Sequence, residues 1–329
     1  MKRTRFGATA LRVTRMGLGL AALGRPGYIN LGHGEDLRNK TAEPVMRDHA
    51  WDVLDAAYRK GIRYFDVARS YGKAEEFLSG WSTYQGDHDM VIGSKWGYTY
   101  TADWKVQADK HEIKEHSLSN LKRQWPESYR WIGKRLGIYH IHSATPDSGA
   151  LDNPELLDEL WRLKRTGIVV GLSLSGPGQA ETLEKATRIR KDGELLFGSV
   201  QATWNALEQS ATEALVEASR MGMGVIIKEA LANGRLTDRN THSEFEENRK
   251  ILNRLSEKYK VGADALCIAF VSRQPWVNIV LSGASTIQQL ESNLMADNLA
   301  IDPEDMEQLG SLRISPVDYW RERAELEWN

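Results

Sequence analysis

Short apolar runs alternate with amphipathic stretches along the chain. Runs rich in β-branched and aromatic residues lie near 16–20, 62–66, 90–95, 137–142, 168–174, 197–202, 223–228 and 277–282. Between them, apolar residues recur at helical spacing near 46–60, 73–83, 109–124, 154–166, 178–190, 210–221 and 246–273. Asn153-Pro154 marks one helix start, and Gly61 and Gly167 end two helices just before strands. Eight strand-then-helix units predict a parallel sheet with crossover helices, and eight is the count that closes a barrel. Such a barrel uses about 250 residues, so part of the chain is surplus. The surplus falls in an N-terminal segment, Phe6-Gly7-Ala8-Thr9 followed by Leu11-Arg12-Val13, that reads as a hairpin. It also falls in the loops from Gly24 to Glu43, Tyr98 to Lys105 and Leu231 to Glu246, and in the tail beyond Asp302. No low-complexity linker divides the sequence. The expected fold is α/β: a (β/α)8 TIM barrel with an N-terminal β-hairpin and a C-terminal helical extension, residues 1–329 forming one domain.

A doubly wound nucleotide-binding sheet is the rival architecture. It would carry G-x-G-x-x-G at its first strand-to-helix turn. Gly17 and Gly19 begin that spacing, but Ala22 holds the third position, and Gly222 and Gly224 are followed by Ile227. The fingerprint is absent.

Composition narrows the class of function. A net charge of -2 leaves no basic excess for nucleic acid or anionic lipid. The single cysteine, Cys267, lies in an apolar helical pattern, so no disulfide framework is expected and a reducing, cytoplasmic compartment fits. No run approaches the roughly 18 apolar residues of a membrane span. Lys2, Arg3, Arg5, Arg12 and Arg15 before Met16–Leu23 superficially resemble a signal peptide, but Gly17 and Gly19 interrupt the apolar run, and a hairpin feeding a first strand is the simpler reading.

The candidate chemistry lies at strand ends, where barrel enzymes gather their functional groups. Asp66 ends the second strand, Lys95 the third and His142 the fourth, and Tyr71 follows in the loop after Asp66. Alone, Asp66 would be read as a cap, Tyr71 as a surface aromatic, and Glu75 and Glu76 as a solvated helix start. Matching strand ends change that reading. A buried carboxylate needs a cation, and Lys95 on the adjacent strand is the expected partner of Asp66. A free phenol has a pKa of about 10. A nearby ammonium would lower it and let Tyr71 exchange a proton with a carbonyl or alcohol oxygen. His142 would donate a hydrogen bond to that oxygen, and a nicotinamide would supply the hydride. His140 shares the face of His142 but lies deeper and is read as structural.

The motifs Phe65-Asp66-Val67-Ala68-Arg69-Ser70-Tyr71-Gly72-x-x-Glu75, Ser94-Lys95, Ile141-His142-Ser143, Val200-Gln201-Ala202-Thr203-Trp204-Asn205 and Gly283-Ala284-Ser285-Thr286-Ile287-Gln288-Gln289-Leu290-x-x-Asn293 together resemble the aldo-keto reductase family over nearly the whole length. The resemblance implies NADPH-dependent reduction of an aldehyde or ketone, or the reverse. Tyr71 is implied as acid/base, Lys95 and Asp66 as its tuning pair, and His142 as the group that orients the substrate. For the cofactor it implies Gln201 and Ser173 on the carboxamide, Trp204 stacked on the ring, and Leu231 and Arg235 in the loop around the pyrophosphate. It also implies Gly283, Ser285, Thr286, Gln289 and Asn293 at the adenosine end. The family's usual Ser-Asn reads Ser173-Leu174 here, and its usual lysine and arginine for the 2′-phosphate read Gly283 and Gln289. The Gly-x-Ser/Thr type of loop at a helix N-terminus still points to NADP, with NAD open.

Two other functions compete. One is a nucleotide-binding regulatory subunit of the same fold with little turnover. The other is a metal-dependent hydrolase using His140 and His142, although strands five to eight end in Ser173, Thr203, Lys228 and Ser282 and supply no further histidine. His111 and His116 are five apart, not the four of a zinc-binding helix. Trp96, Tyr98, Tyr100 and Trp104 are expected to favour the pocket over the core, while Trp320 and Trp328 suit either barrel flank or pocket. The expected substrate is a small carbonyl compound or alcohol of undetermined type.

Overall fold

The structure is a computed structural model that describes residues 1–85 and 89–329. Eight parallel strands close into a barrel: Met16–Gly19, Tyr64–Asp66, Val91–Trp96, Leu136–Ala144, Val169–Leu174, Ser199–Thr203, Gly224–Lys228 and Ile279–Ser282. Sequential strands are neighbours throughout, and the last pairs with the first through Leu281 opposite Gly17. Every expected strand is present within a few residues of its sequence position. The hairpin is there too, with Arg3–Arg5 antiparallel to Arg12–Thr14.

Two helical expectations are corrected. The pattern near 109–124 is not one helix. Glu112–Lys114 pairs with Tyr98–Tyr100 as a second small hairpin, and the helix runs from Leu118 to Ile132. Its start is set by Ser117, whose hydroxyl accepts from the Asn120 amide at 3.1 Å. The long pattern 246–273 is two helices, Glu246–Tyr259 and Ala263–Ser272. Lys260 breaks it with a left-handed backbone, φ 55°.

Side chains alternate across each strand, so every strand presents one row to the barrel interior. The lower interior is a small apolar plug of Tyr64, Ile138, Ile226, Ile279 and Leu281, closed from below by Phe6 and Val13 of the hairpin. Tyr64 fills space that glycines vacate. A Cβ on Gly17 would stand 2.7 Å from the Tyr64 ring, and one on Gly93 would overlap the Tyr64 hydroxyl. The next inward residues, one pleat higher, are Asp66, Lys95, His140 and Lys228, and His142 stands one pleat above His140. The plug thus carries a polar layer on top.

The C-terminal helices Pro303–Gly310 and Pro316–Ala324 lie on the flank, where Tyr319 and Trp320 are buried and Asn205 donates to the Tyr319 hydroxyl at 3.0 Å. The chain then crosses the barrel mouth. Tyr28 and Asn329 exchange backbone hydrogen bonds of 3.1 Å each. Among the described residues, no helix is long and apolar enough to cross a membrane.

Gly93→Ala should force Tyr64 out of its place and lower stability by about 1–3 kcal/mol, as read from the urea midpoint. An unchanged midpoint would show that the plug is looser than this packing.

Candidate active site

Asp66 and Lys95 come together because adjacent parallel strands bring their inward rows side by side. Both are nearly inaccessible, at 2% and 0%. The Lys95 ammonium bonds Asp66 Oδ1 and donates to the Val67 carbonyl at 3.0 Å. Asp66 Oδ2 accepts from the Tyr64 hydroxyl at 3.1 Å and from Gln201 Nε2 at 2.9 Å. A buried ion pair is tolerable only when its remaining hydrogen-bonding capacity is filled, and here both Asp66 oxygens are engaged. Burial, followed by the charge of Asp66, pushes the Tyr64 phenol well above its ordinary value, so it stays a donor.

Tyr71 stands in the loop above this pair. Its ring centroid is 4.8 Å from Lys95 Nζ and 5.5 Å from the His142 ring, edge to face. Its phenol is pushed well above 10, by burial first and by Asp66 second. This corrects the acidified tyrosine expected from sequence. Burial and the Asp66 carboxylate outweigh the nearby cation Arg25. His142 is held well below its usual pKa by burial and then by the charge of Lys95, which keeps the imidazole neutral. Its Nδ1 lies 3.4 Å from the Ser70 hydroxyl. When Nδ1 accepts from Ser70, the imidazole proton sits on Nε2. His140 is a step deeper, with Nε2 2.8 Å from the Ser199 hydroxyl. Among the described residues, no group of three or more His, Cys, Asp or Glu side chains could hold a metal ion.

A cavity of about 1400 Å³ opens above this cluster. It runs from Tyr71, His142 and Gln201 past Leu231 to Gly283, Ser285, Thr286, Gln289 and Asn293. Gln201 Oε1 is buried and has no partner, an acceptor suited to an amide N–H brought by a ligand. At the far end, Thr286 caps the helix Ile287–Leu294. Asn293 bonds the Ser282 hydroxyl at 2.8 Å. Asp36, from the loop after the first strand, reaches both Ser285 and Gln289.

Three residues expected at the cofactor are not on the cavity wall. Trp204 follows inward-facing Thr203 by one residue, so alternation turns it outward. It stacks on Phe270 at 5.2 Å and donates to Thr212 at 2.9 Å. Arg235 points at the C-terminal helix, bonding Glu322 at 2.8 Å and lying 4.2 Å from the centre of the Tyr319 ring. Ser173 is fully buried, and its hydroxyl accepts from the Ser143 amide at 2.8 Å, leaving Ser143 and Ser175 on the wall. Of the aromatic loop, only Tyr98 lines the cavity. Trp96 is core, and Trp104 donates to the Thr41 carbonyl at 2.7 Å. Trp328 lines the mouth, whereas Trp320 packs in the flank.

Sequence reasoning missed the charged wall of the mouth. Arg25 pairs with Glu112 and packs against Tyr28, Tyr71 and Trp328. Glu229 is held by Arg323 in a two-pronged pair, with Lys228 at 3.6 Å, and these two cations keep the Glu229 carboxyl far below its usual range despite burial. Burial lowers Lys228 to about 8. Lys228 is legible in the sequence as the end of the seventh strand. The other members come from separate loops, and no local pattern marks them.

The family model described as Aldo/keto reductase family matches residues 15–314. The chain is 23% identical to an uncharacterized oxidoreductase, YqkF, of Bacillus subtilis over 324 residues, covering 91% of this chain and 92% of that protein. It is 23% identical to D-threo-aldose 1-dehydrogenase of Pseudomonas sp, covering 87% and 94%. In fold it is similar to an aldo-keto reductase of Bacillus halodurans solved in its holo form, with a TM-score of 0.70, 20% identity and coverage of 96% and 97%.

Lys95→Met should strand the Asp66 carboxylate and cost about 3–5 kcal/mol. Adding Asp66→Asn should recover a large part of that loss. Urea unfolding of the two single variants and the double variant measures the coupling, and additive losses would contradict a mutually dependent pair.

Proposed function

Because this chain belongs to the aldo/keto reductase family, we propose that it reduces the carbonyl group of a small molecule, or oxidises the matching alcohol, with Tyr71 exchanging the proton. The convergence of the Tyr71 and His142 rings over the buried Lys95–Asp66 pair, at the floor of an open cavity, carries this reading. A bound nicotinamide dinucleotide would supply the hydride. The chain fits such a group: Gln201 Oε1 is an orphaned amide acceptor beside Asp66, and the cavity continues to the capped helix at Thr286. Leu231, Gly283, Ser285, Thr286, Gln289 and Asn293 are the remaining wall residues that would hold it.

The residues divide the work by charge state. Tyr71 enters reduction protonated, in keeping with a phenol that burial and Asp66 hold above its ordinary value. As the substrate oxygen gains negative charge, Tyr71 gives up its proton, and Lys95 is a nearby ammonium that can stabilise the resulting phenolate. Asp66 holds Lys95 in place. Neutral His142 offers an N–H to the same oxygen and orients the carbonyl. The NADP form expected from sequence rests on the Gly283–Gln289 loop, where Asp36 now bears on the choice.

The walls also narrow the substrate. Arg25–Glu112 and Lys228–Glu229–Arg323 offer paired charges beside Tyr28, Tyr98 and Trp328. Compensated charges with many hydrogen-bonding atoms suit a neutral, hydroxyl-rich carbonyl compound better than an anion or a bare hydrocarbon. The similarity to D-threo-aldose 1-dehydrogenase is in keeping with this.

Tyr71→Phe should lower turnover by roughly 10²–10⁴ while dinucleotide binding, followed by tryptophan fluorescence, changes little. Turnover unchanged within error would remove Tyr71 from proton transfer. The pH dependence follows in sign from the raised phenol. Reduction uses the protonated form and should stay level through neutral pH, whereas oxidation needs the phenolate and should keep rising into alkaline solution. A plateau of oxidation near neutrality would reveal a depressed phenol instead.

A further inference from the structure

The adenosine end of the cavity carries an acidic side chain where a phosphate would need donors. Asp36 belongs to the short turn His33–Asp36 in the loop after the first strand, and its side chain is only 10% exposed. Its Oδ2 accepts from Gln289 Nε2 at 2.8 Å, from Ser285 Oγ at 3.1 Å and from Arg239 Nη1 at 2.8 Å. Arg239 Nη2 closes the fork on Oδ1. Ser285 and Gln289, which could present neutral donors to an anion, thus already serve a carboxylate, and the guanidinium of Arg239 is spent on it as well.

Two amides at the helix start are already used. The Ser285 amide donates to Gln289 Oε1 at 2.9 Å, and the Gln289 amide to Thr286 Oγ1 at 3.2 Å. These N–H groups are satisfied within the turn and are not free for an anion. His49 Nε2 is engaged by the Ser285 carbonyl at 2.5 Å. The other basic residues lining this part of the cavity are Arg38 and Lys40, both exposed.

We propose that Asp36 selects the form of the dinucleotide, accepting the free 2′-hydroxyl of NAD(H) and rejecting the 2′-phosphate of NADP(H). The inference rests on the cofactor reading given above and reverses the preference expected from the Gly283–Gln289 loop alone. A ribose hydroxyl donates to a carboxylate. A phosphate dianion placed against Asp36 meets like charge in a partly desolvated site, and relieving it requires breaking the two-pronged pair with Arg239. Asp36 comes from the loop after strand one and Arg239 from the loop after strand seven, so both loops set the selectivity together.

Titration of the full-length protein with NADH and NADPH, followed by tryptophan fluorescence, tests this without reliance on turnover. The wild type should bind NADH at least about tenfold more tightly. Asp36→Asn keeps the shape and removes the charge, and it should improve NADPH binding by about tenfold while moving NADH by less than about threefold. Arg239→Gln breaks the same ion pair but keeps the carboxylate, so the NADH preference should persist or grow. Thermal unfolding checks that both variants are folded, and the wild-type comparison stands without them. Tighter binding of NADPH by the wild type would overturn the proposal and assign the phosphate to Arg38 and Lys40. An Asp36→Asn variant with an unchanged ratio would overturn it as well. Failure of both dinucleotides to bind would sink the cofactor reading together with this one. Selective NADH binding without carbonyl turnover would leave Asp36 as the selector and sink only the proposed reaction.

Discussion

A lysine and an aspartate, both deprived of water, sit at the top of the barrel's interior plug. Neither could be buried alone, because an isolated charge in that setting is far costlier than any packing gain. Their pairing demands two adjacent parallel strands in one particular register, with Asp66 opposite Gly93 and Lys95 one pleat further on. A slip of one residue in either strand would turn its side chain outward and leave the other charge unpaired. Tyr64 and Gln201 complete the shell around the carboxylate, so three strands meet at one functional group. The strand register and the electrostatics of the site are therefore one constraint.

The plug beneath explains why that shell is rigid. Tyr64 is large, yet it fits because Gly17 and Gly93 leave it room, and its hydroxyl then reaches Asp66. The N-terminal hairpin seals the bottom with Phe6 and Val13. The polar cluster thus rests on an apolar base, with Tyr71 above it in the loop after the second strand. Its high phenol pKa follows from burial first and from the neighbouring Asp66 carboxylate second. A tyrosine in that state is ready to give a proton and reluctant to take one, which suits the direction of reduction at neutral pH.

The mouth is made of loops that meet only in the folded chain. Arg25 and Asp36 follow the first strand, Glu112 sits in the hairpin after the third, Arg239 follows the seventh, and Arg323 and Trp328 come from the tail. Each charge there has a partner from a different loop. The walls can therefore be polar without leaving a buried charge unpaired.

Much of this architecture was legible in the linear chain. Eight apolar runs, each followed by a stretch long enough for a crossover, define the barrel, and alternation within them places Asp66, Lys95 and His142 on its inner face, because a pleated strand leaves a side chain only two directions. The same rule explains the errors. Trp204 was given a role by its resemblance to a motif, yet it stands one residue past an inward-facing Thr203 and must face the helices. The misread segment near 109–124 failed because its polar residues suit a hairpin edge as well as a helix face, and only the partner strand Tyr98–Tyr100 decides. The sequence by itself therefore determined the barrel, the order of its strands and the inward-facing reactive groups, since these follow from local periodicity. Only the tertiary structure decided which charge pairs with which, that burial keeps Tyr71 from being acidified, that Arg235 serves the tail, and that Asp36 meets Ser285, Gln289 and Arg239 at the far end of the cavity. Those outcomes depend on distances between residues far apart in the chain, and charge interactions depend on distance and burial rather than on order.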